Sequence, residues 1–409
     1  MKKYVLIQVR SSSSRLPFKA LLNINNIPLI ILLFRRIVSK SYKTVILTSN
    51  HSSDDYLCKE LKKYKINFYR GNLPNVKKRF LDYSKNLNDN DIIVRLTADC
   101  LFVDKWLVKF VIKQLQKNSK EYLYTNPKIS GVPEGISVEA FRLKTLRRFK
   151  KNSDLDKEHV TVNFDRIREN TVLFEKKKKQ WKNLSTSIDT LDDFYKVKKV
   201  FNGIKNPSSI KWQSLCEKLG RIKPNKKIIK KTNFVLESFY TKDLNKDLLI
   251  KISNLKNQEW KFGKKSQLDF FKKNYSKLDL HNLFFCNEKL IGYTTLKESY
   301  FYNSGNSKIQ KKKKCLIFDT FIIHKNYQKM NLSEILMSFN KSLIYKLNLP
   351  SFLVCSDSLV KFYNKNRWLI IDDKRIILTN KFKNLNLFSL NINTSQLFSS
   401  KREKIFIKI

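Results

Sequence analysis

Twelve residues near the start of the chain are dense in groups that bind anions: Gln8-Val9-Arg10-Ser11-Ser12-Ser13-Ser14-Arg15-Leu16-Pro17-Phe18-Lys19. Arg10 and Arg15 can make bidentate contacts to phosphate oxygens, and Lys19 supplies a compact charge. The hydroxyls and backbone N–H groups of Ser12, Ser13 and Ser14 can donate to the same oxygens. A triphosphate suits such a loop. A basic surface turn would have the same composition, so the loop's company matters. Asp99 closes Arg95-Leu96-Thr97-Ala98-Asp99, and Asp189 sits in Ser187-Ile188-Asp189-Thr190-Leu191-Asp192-Asp193. Two carboxylates at strand ends can hold Mg²⁺, which is usually bound by one or two carboxylates plus substrate phosphates. Either aspartate could instead cap a helix.

The elements that must position these groups follow from hydrophobic periodicity. Tyr4 to Val9 predicts a buried strand. Ile27 to Lys40 predicts a helix with Pro28 in its first turn, where proline is tolerated. Thr44 to Thr48, Asn67 to Arg70 (closed by Gly71) and Asp91 to Leu96 predict strands. Asp54 to Tyr64 and Val76 to Lys85 predict helices between them. Short apolar strands alternating with helices imply βαβ units and a parallel sheet, whose ligands bind beyond the carboxyl ends of the strands. The cationic loop and Asp99 both fall at that rim.

With these residues in view, Gln8 to Leu21 resembles the R-x-G-S-S/T-R-L-P-x-K loop of the cytidylyltransferase family of acylneuraminate cytidylyltransferases and spore-coat polysaccharide biosynthesis enzymes. The resemblance covers residues 1 to about 200. It takes in Tyr69-Arg70-Gly71, Arg95 to Cys100, Pro133-Glu134-Gly135-Ile136-Ser137-Val138-Glu139, Lys157-Glu158-His159-Val160 and Ile188-Asp189-Thr190. It implies a Rossmann-like nucleotidyltransferase fold and transfer of CMP from CTP to a sugar, often a nonulosonic acid. On this resemblance Arg10, Arg15 and Lys19 hold phosphates, and Asp99 and Asp189 bind Mg²⁺. Glu139 and His159 shape the sugar side, although His159 could equally be a packed structural residue. The chain departs from the family pattern at Ser12 and Phe18, where glycine is frequent. A left-handed backbone at Ser12 would cost up to about 1–2 kcal/mol.

Between 205 and 232 the periodicity breaks at Asn206-Pro207-Ser208-Ser209 and Lys223-Pro224-Asn225-Lys226-Lys227, turn and charge signals that place a boundary near 222 to 232. The expected division is 1–225, 232–380 and an unassigned tail, 381–409. Beyond the boundary, Phe234 to Phe239 predicts a strand, and Asn282 to Leu296 predicts a hairpin turning at Asn287-Glu288-Lys289. Cys315 to Ile323 predicts a long strand, Leu332 to Leu347 a helix and Ser351 to Cys355 a further strand. The segment Gln328-Lys329-Met330-Asn331-Leu332-Ser333 between strand and helix resembles the (Q/R)-x-x-G-x-(G/A) motif of GNAT N-acetyltransferases. That implies an α+β fold in which Gln328, Lys329, Asn331 and Ser333 offer loop N–H groups and a helix N-terminus to the pyrophosphate of acetyl-CoA. Asn331 is the best non-glycine choice for a left-handed turn. Phe362-Tyr363-Asn364-Lys365-Asn366-Arg367-Trp368 resembles the late F-Y-x-x-x-G-[FW] segment, which makes Tyr363 the candidate acid for the departing thiolate.

The 409 residues carry 83 Lys and Arg against 35 Asp and Glu, a formal charge of +48. Such a balance suits a polyanion partner. The lysines are nevertheless spread along the whole chain, as a solvated lysine-rich surface requires, with steering of anionic nucleotides as a lesser effect. The runs at Lys176 to Lys179 and Lys311 to Lys314 read as loop tips. The six cysteines, none in a C-x-x-C pair, read as reduced core thiols. Ile27 to Phe34 is too short to span a bilayer, and no cleaved leader is evident, so a soluble cytoplasmic protein is expected. A homodimer is compatible with these features. Nucleic-acid binding and membrane insertion are not expected. The readings that stand at this point are a bifunctional enzyme of surface-sugar biosynthesis, a glycosyltransferase using a nucleotide-sugar donor, and a non-catalytic basic binding protein.

Overall fold

The computed structural model describes residues 1–13, 15–149, 157–164, 168–174, 181, 184–222, 233–303, 312–378, 385–392, 394–398 and 403–409. Ser14, the turn at Lys223 to Lys227 and the run Lys176 to Lys179 lie outside them. The chain divides into two compact units, Met1–Thr232 and Asn233–Ile409.

In the first unit the strands are β1 (Lys3–Gln8), β2 (Lys43–Ser49), β3 (Phe68–Gly71), β4 (Ile92–Thr97), β5 (Tyr122–Tyr124) and β6 (Glu139–Arg142). The main helices are α1 (Leu29–Ile37), α2 (Asp55–Lys63), α3 (Val76–Tyr83), α4 (Lys105–Lys117), α5 (Leu191–Phe201) and α6 (Trp212–Gly220). The sheet order is β3-β2-β1-β4-β6-β5. β1 to β4 are mutually parallel, but β6 runs antiparallel to both β4 and β5. The parallel sheet expected from residues 4 to 97 is present in β1 to β4, and β6 extends it into a mixed sheet. The connection from β5 to β6 contains only one short helical turn, Pro127–Ser130, and returns the chain antiparallel. The alternation read between residues 4 and 97 does not extend to them. α1 begins at Leu29, after a two-residue hairpin in which Ile27–Pro28 pairs with Asn23–Ile24, and ends at Ile37 rather than Lys40.

β1 is buried on both faces, so Tyr4-Val5-Leu6-Ile7 is uniformly apolar rather than alternating. On one face Leu6, Leu47 and Ile93 pack with Phe80 of α3 and Phe141. Arg36, fully buried on α1, donates to the carbonyls of Leu101 and Phe102 at 2.8 and 2.9 Å and to those of Pro207 and Ile210 at 2.8 and 3.0 Å. It thereby fixes the turn that follows Asp99. All six cysteines are buried free thiols.

The second unit contains β7 (Phe234–Tyr240), α7 (Lys246–Glu259), α8 (Lys264–Asn274), β8 (Leu280–Cys286), β9 (Lys289–Asn303), β10 (Lys313–Ile323), α9 (Leu332–Leu347), β11 (Ser351–Cys355), α10 (Asp357–Lys365), β12 (Leu369–Ile371), β13 (Ile376–Leu378), β14 (Asn386–Leu390) and β15 (Ile405–Ile407). The strands form one sheet of order β12-β14-β11-β10-β9-β8-β7, with β15 pairing β9 and β13. The C-terminal stretch left without assignment thus supplies β14, between β12 and β11, and β15. Lys313 and Lys314 open β10 instead of a loop tip, with Lys314 paired to Glu298 of β9. β10 and β11 are parallel and pair only at Leu316 with Ser351 and Ile317 with Phe352. Beyond that point they diverge. A register shift against β9 leaves Thr320 as a bulged residue with a left-handed backbone, φ 52°. No helix of the described residues is long and apolar enough to cross a membrane.

Candidate active sites

The cationic loop leaves β1 and is pinned from beneath by Asp54. This buried carboxylate accepts from the Ser11 N–H at 2.7 Å, the Thr48 hydroxyl at 2.9 Å and the Ser49 N–H at 3.0 Å. The loop closes on itself where the Phe18 N–H donates to the Ser11 carbonyl at 3.1 Å. Among the loop's described residues the left-handed one is Phe18, at φ 55°; Ser12 carries no positive φ, so its replacement of glycine is not strained. Ser12, Ser13, Arg10, Arg15 and Lys19 then line a cleft of about 250 Å³ together with Asp99 and Asp189.

Lys19 joins the two aspartates. Its Nζ donates to Asp99 Oδ2 at 2.9 Å, to Asp189 Oδ1 at 3.1 Å and to the Ile188 carbonyl at 2.8 Å. Arg15 Nη2 reaches the same Asp189 oxygen at 2.9 Å. Neither aspartate is spent on a helix. Thr190 caps α5 in a capping box with Asp193, and Asp104 caps α4 through the Leu107 N–H. Burial alone would raise Asp99, but the Lys19 ammonium and the hydrogen bonds from Thr97 and Lys19 outweigh it and hold the carboxyl below its usual range. Burial pushes the neighbouring Cys100 thiol up to about 12, with Asp99 adding to the effect, which leaves it unfit as a nucleophile.

The segment that leads into Asp189 packs closely against Glu134 and Gly135. Glu134 exchanges backbone hydrogen bonds with Leu184 and Thr186 at 3.1 and 2.8 Å. Gly135 has φ 83°, and a Cβ there would lie 2.3 Å from the Ser187 nitrogen. Only glycine permits that approach.

Two candidates from the first unit lie elsewhere. Glu139 is buried and accepts from Arg95 Nη1 and the Thr161 hydroxyl, both at 2.7 Å, while Arg95 Nε donates to Gln8 Oε1 at 2.9 Å. It ties β1, β4 and β6 together below the cleft and does not line it. His159 is exposed and also outside the lining. Two residues that sequence reasoning passed over do line it. Glu158 pairs with Arg10 at 3.1 Å, and Arg79 is held by the Asn72 carbonyl at 2.8 Å. The only sequence signal for Glu158 was its place in the quoted Lys157-Glu158-His159 segment.

Among the described residues no group of three or more His, Cys, Asp or Glu side chains is placed to hold a metal. Asp99 and Asp189 are nevertheless close enough to share one ammonium. That pair fits Mg²⁺ in the form where phosphate oxygens and water complete the shell.

In the second unit, Gln328, Lys329, Asn331 and Ser333 line one cavity of about 280 Å³ with Phe321, Ile323 and Glu259. Gln328 Nε2 donates to the Ile323 carbonyl at 3.1 Å and folds the loop back on β10. Lys329 and Asn331 have φ 62° and 47°, and α9 begins immediately afterwards at Leu332. A left-handed turn at a helix N-terminus gathers backbone N–H groups into an anion-binding concavity. Tyr363 is not brought to this cavity. Its ring is buried among Phe318, Trp368 and Phe388, and burial, then Cys355 and Asp319, raises its phenol.

The profile of the cytidylyltransferase family matches residues 4–213. No curated protein matches the chain. Among solved structures, the chain is similar to a cytidylyltransferase from Leptospira borgpetersenii serovar Hardjo-bovis at 25% identity and a TM-score of 0.47, over 53% of this chain and 93% of that one. It is similar to CMP:2-keto-3-deoxy-manno-octonic acid synthetase complexed with CTP at 13% identity and a TM-score of 0.35, over 48% and 97%. It is also similar to an acyl-CoA N-acyltransferase from Pseudomonas aeruginosa at 11% identity and a TM-score of 0.29, over 38% and 97%.

Proposed function

Because this chain belongs to the cytidylyltransferase family, we propose that its first unit transfers CMP from CTP to a sugar hydroxyl. The observation that carries this reading is the Lys19 ammonium held between Asp99 and Asp189, with Arg15 on the same Asp189 oxygen. Two cations and two carboxylates balance one another there. Phosphate oxygens compete with the two carboxylates for Lys19 and Arg15, and Asp99 and Asp189 are the residues that would hold a metal ion. The sugar hydroxyl gives its proton to solvent as its oxygen forms a bond to the α-phosphorus, the bond from that phosphorus to the bridging oxygen breaks, and pyrophosphate leaves with the electron pair. Charge grows on the phosphoryl oxygens, so the work of Arg15 and Lys19 is positioning and electrostatic stabilisation. Bound by Asp99 and Asp189, Mg²⁺ would neutralise triphosphate charge.

The second unit is read as an acetyl-CoA-dependent N-acetyltransferase acting on a sugar amine. The left-handed turn at Lys329 and Asn331 supports a pyrophosphate cradle. The divergence of β10 from β11 leaves backbone groups for an extended, amide-bearing arm. The two reactions suit one soluble enzyme of surface-sugar biosynthesis, since such sugars are commonly both N-acylated and nucleotide-activated.

The test is pyrophosphate release by the purified full chain with CTP, UTP, ATP or GTP, a sugar-acid acceptor, and Mg²⁺ present or absent. Release with CTP and Mg²⁺ alone is expected. Arg15→Ala should slow it at least about tenfold, roughly 1.4 kcal/mol. Asp99→Asn and Asp189→Asn should each abolish the Mg²⁺-dependent release with circular dichroism unchanged. Transfer of a sugar from a nucleotide-sugar donor without pyrophosphate release would replace this reading with that of a glycosyltransferase.

A further inference from the structure

On the α7 and α8 side of the second sheet, three charged residues converge that neither reaction above uses. Lys297 on β9 pairs with Asp319 on β10, Nζ to Oδ2, at 2.6 Å. That carboxylate is thereby neutralised. Lys256 on α7 is only 3% exposed. Its ammonium lies over the rings of Phe270 and Tyr275, 4.5 and 5.5 Å from their centroids. Among the described residues it has no ion-pair partner. Lys297 Nζ also lies over the Tyr275 ring, 4.9 Å from its centroid.

Aromatic faces return only part of the hydration that a buried ammonium loses. Burial pushes Lys256 down to about 8, with Asp319 opposing the shift and Lys297 adding to it. Lys297 answers to Asp319 and, less strongly, to Asp279, so Lys256 is the ammonium left without an ion pair among the described residues, and an anion beside it would supply one. The cluster is reachable, because the Lys297 and Asp319 side chains retain 24% and 36% of their exposure. It also adjoins the loop cavity. Glu259, less than one helical turn beyond Lys256 on α7, lines that cavity, and Asp319 directly precedes the bulged Thr320.

We propose that Lys256 and Lys297 floor an acceptor subsite of the second unit that recognises the anionic group, a carboxylate or a phosphate, of an amino sugar. The acceptor role rests on the acetyltransferase reading; the anion site does not.

The test is competitive labelling of the intact chain with trace acetic anhydride, quantified for each lysine by mass spectrometry. Glucuronate, glucose 6-phosphate, glucose or acetyl-CoA is added at one ionic strength set with potassium chloride. Labelling of Lys256 should fall at least threefold with glucuronate or glucose 6-phosphate and hold with glucose. The protecting arm identifies the carboxylate or the phosphate. No protection by either anion overturns the proposal, as does equal protection by glucose. Protection by acetyl-CoA alone overturns it too. So does a Lys256 that never labels, since a subsite open to a sugar acid is open to the reagent. Calorimetry with acetyl-CoA on the same protein separates the two ideas. Anion protection without acetyl-CoA heat keeps the anion site and removes the transferase reading.

Discussion

The two candidate sites meet anions by opposite means. The first unit aims side chains: Lys19 and Arg15 stand against Asp99 and Asp189, each pair within 3.1 Å. The second unit aims backbone: Lys329 and Asn331 turn left-handed, and α9 starts at Leu332. A site of paired side chains fails when one charge is deleted, because the partner remains, partly desolvated and uncompensated. A site of backbone N–H groups tolerates side-chain exchange and fails when an N–H is removed. The comparison also explains why a chain with only eight glycines can carry both. Among its described residues the first loop has a positive φ at Phe18 alone, and the second places lysine and asparagine where glycine would be less strained.

The largest effect should come from Lys19→Met. It strands Asp99 beside a thioether, leaves Asp189 to Arg15 alone, and should lower kcat/KM for CTP at least about 10³-fold, roughly 4 kcal/mol. A loss below tenfold in a pyrophosphate-release assay would move the phosphate contact elsewhere. Ser333→Pro comes next. Proline in the first helical turn removes an N–H with little other disturbance, so acetyl-CoA affinity by calorimetry should fall at least about a hundredfold. Ser333→Ala should stay within about threefold. Equal losses for both would mean that the second site also works through side chains.

Acid should separate the units by about 2 kcal/mol. His281, in the second unit, is pushed down to about 3 by burial, with Lys256 and Lys297 repelling its proton. Unfolded histidine binds a proton near pH 6.5. Between those values the unfolded chain holds more protons, so this unit loses stability as pH falls, by about 1.4 kcal/mol per pH unit at most. Asp99 has the usual carboxylate sign. Its depressed folded value gives stability that is present above the unfolded value near 3.9 and lost only as pH falls through the lower folded one. Hydrogen exchange at pH 7 and pH 5 should therefore show weaker protection in residues 233–409 and unchanged protection around Asp99. A parallel loss in both units would count against His281 as the cause. The smallest effect should be Tyr363→Phe, with acetyl-CoA affinity and transfer rate both within about threefold of wild type. A slower transfer at unchanged affinity would restore the tyrosine as proton donor to the thiolate.

Particular residues show where legibility ended. The run from β10 through α9 to β11 was readable almost to the residue, because an apolar strand, a polar turn with asparagine and an amphipathic helix each leave a local mark. Asp54 was not. At the start of α2 it reads as a cap, yet it accepts from Ser11 in a loop 43 positions away. The antiparallel β6 was hidden in the same way, since its register with β4 joins residues 92–95 to 139–142. Tyr363 matched a motif in sequence, but packing turned its ring into the core.

By itself, the sequence determined which chemistry is available at the end of each element: cations and serines after β1, an aspartate after β4, another before α5, and an asparagine turn before α9. Side-chain period and turn chemistry are local, so they survive in one dimension. Only the tertiary structure decided which of these groups meet. Lys19 finds Asp189 across 170 positions, and Lys256 finds aromatic faces and, among the described residues, no ion-pair partner. A charge's partner is set by how whole segments pack, and Coulomb attraction at 3 Å carries no trace in the spacing of the residues that share it.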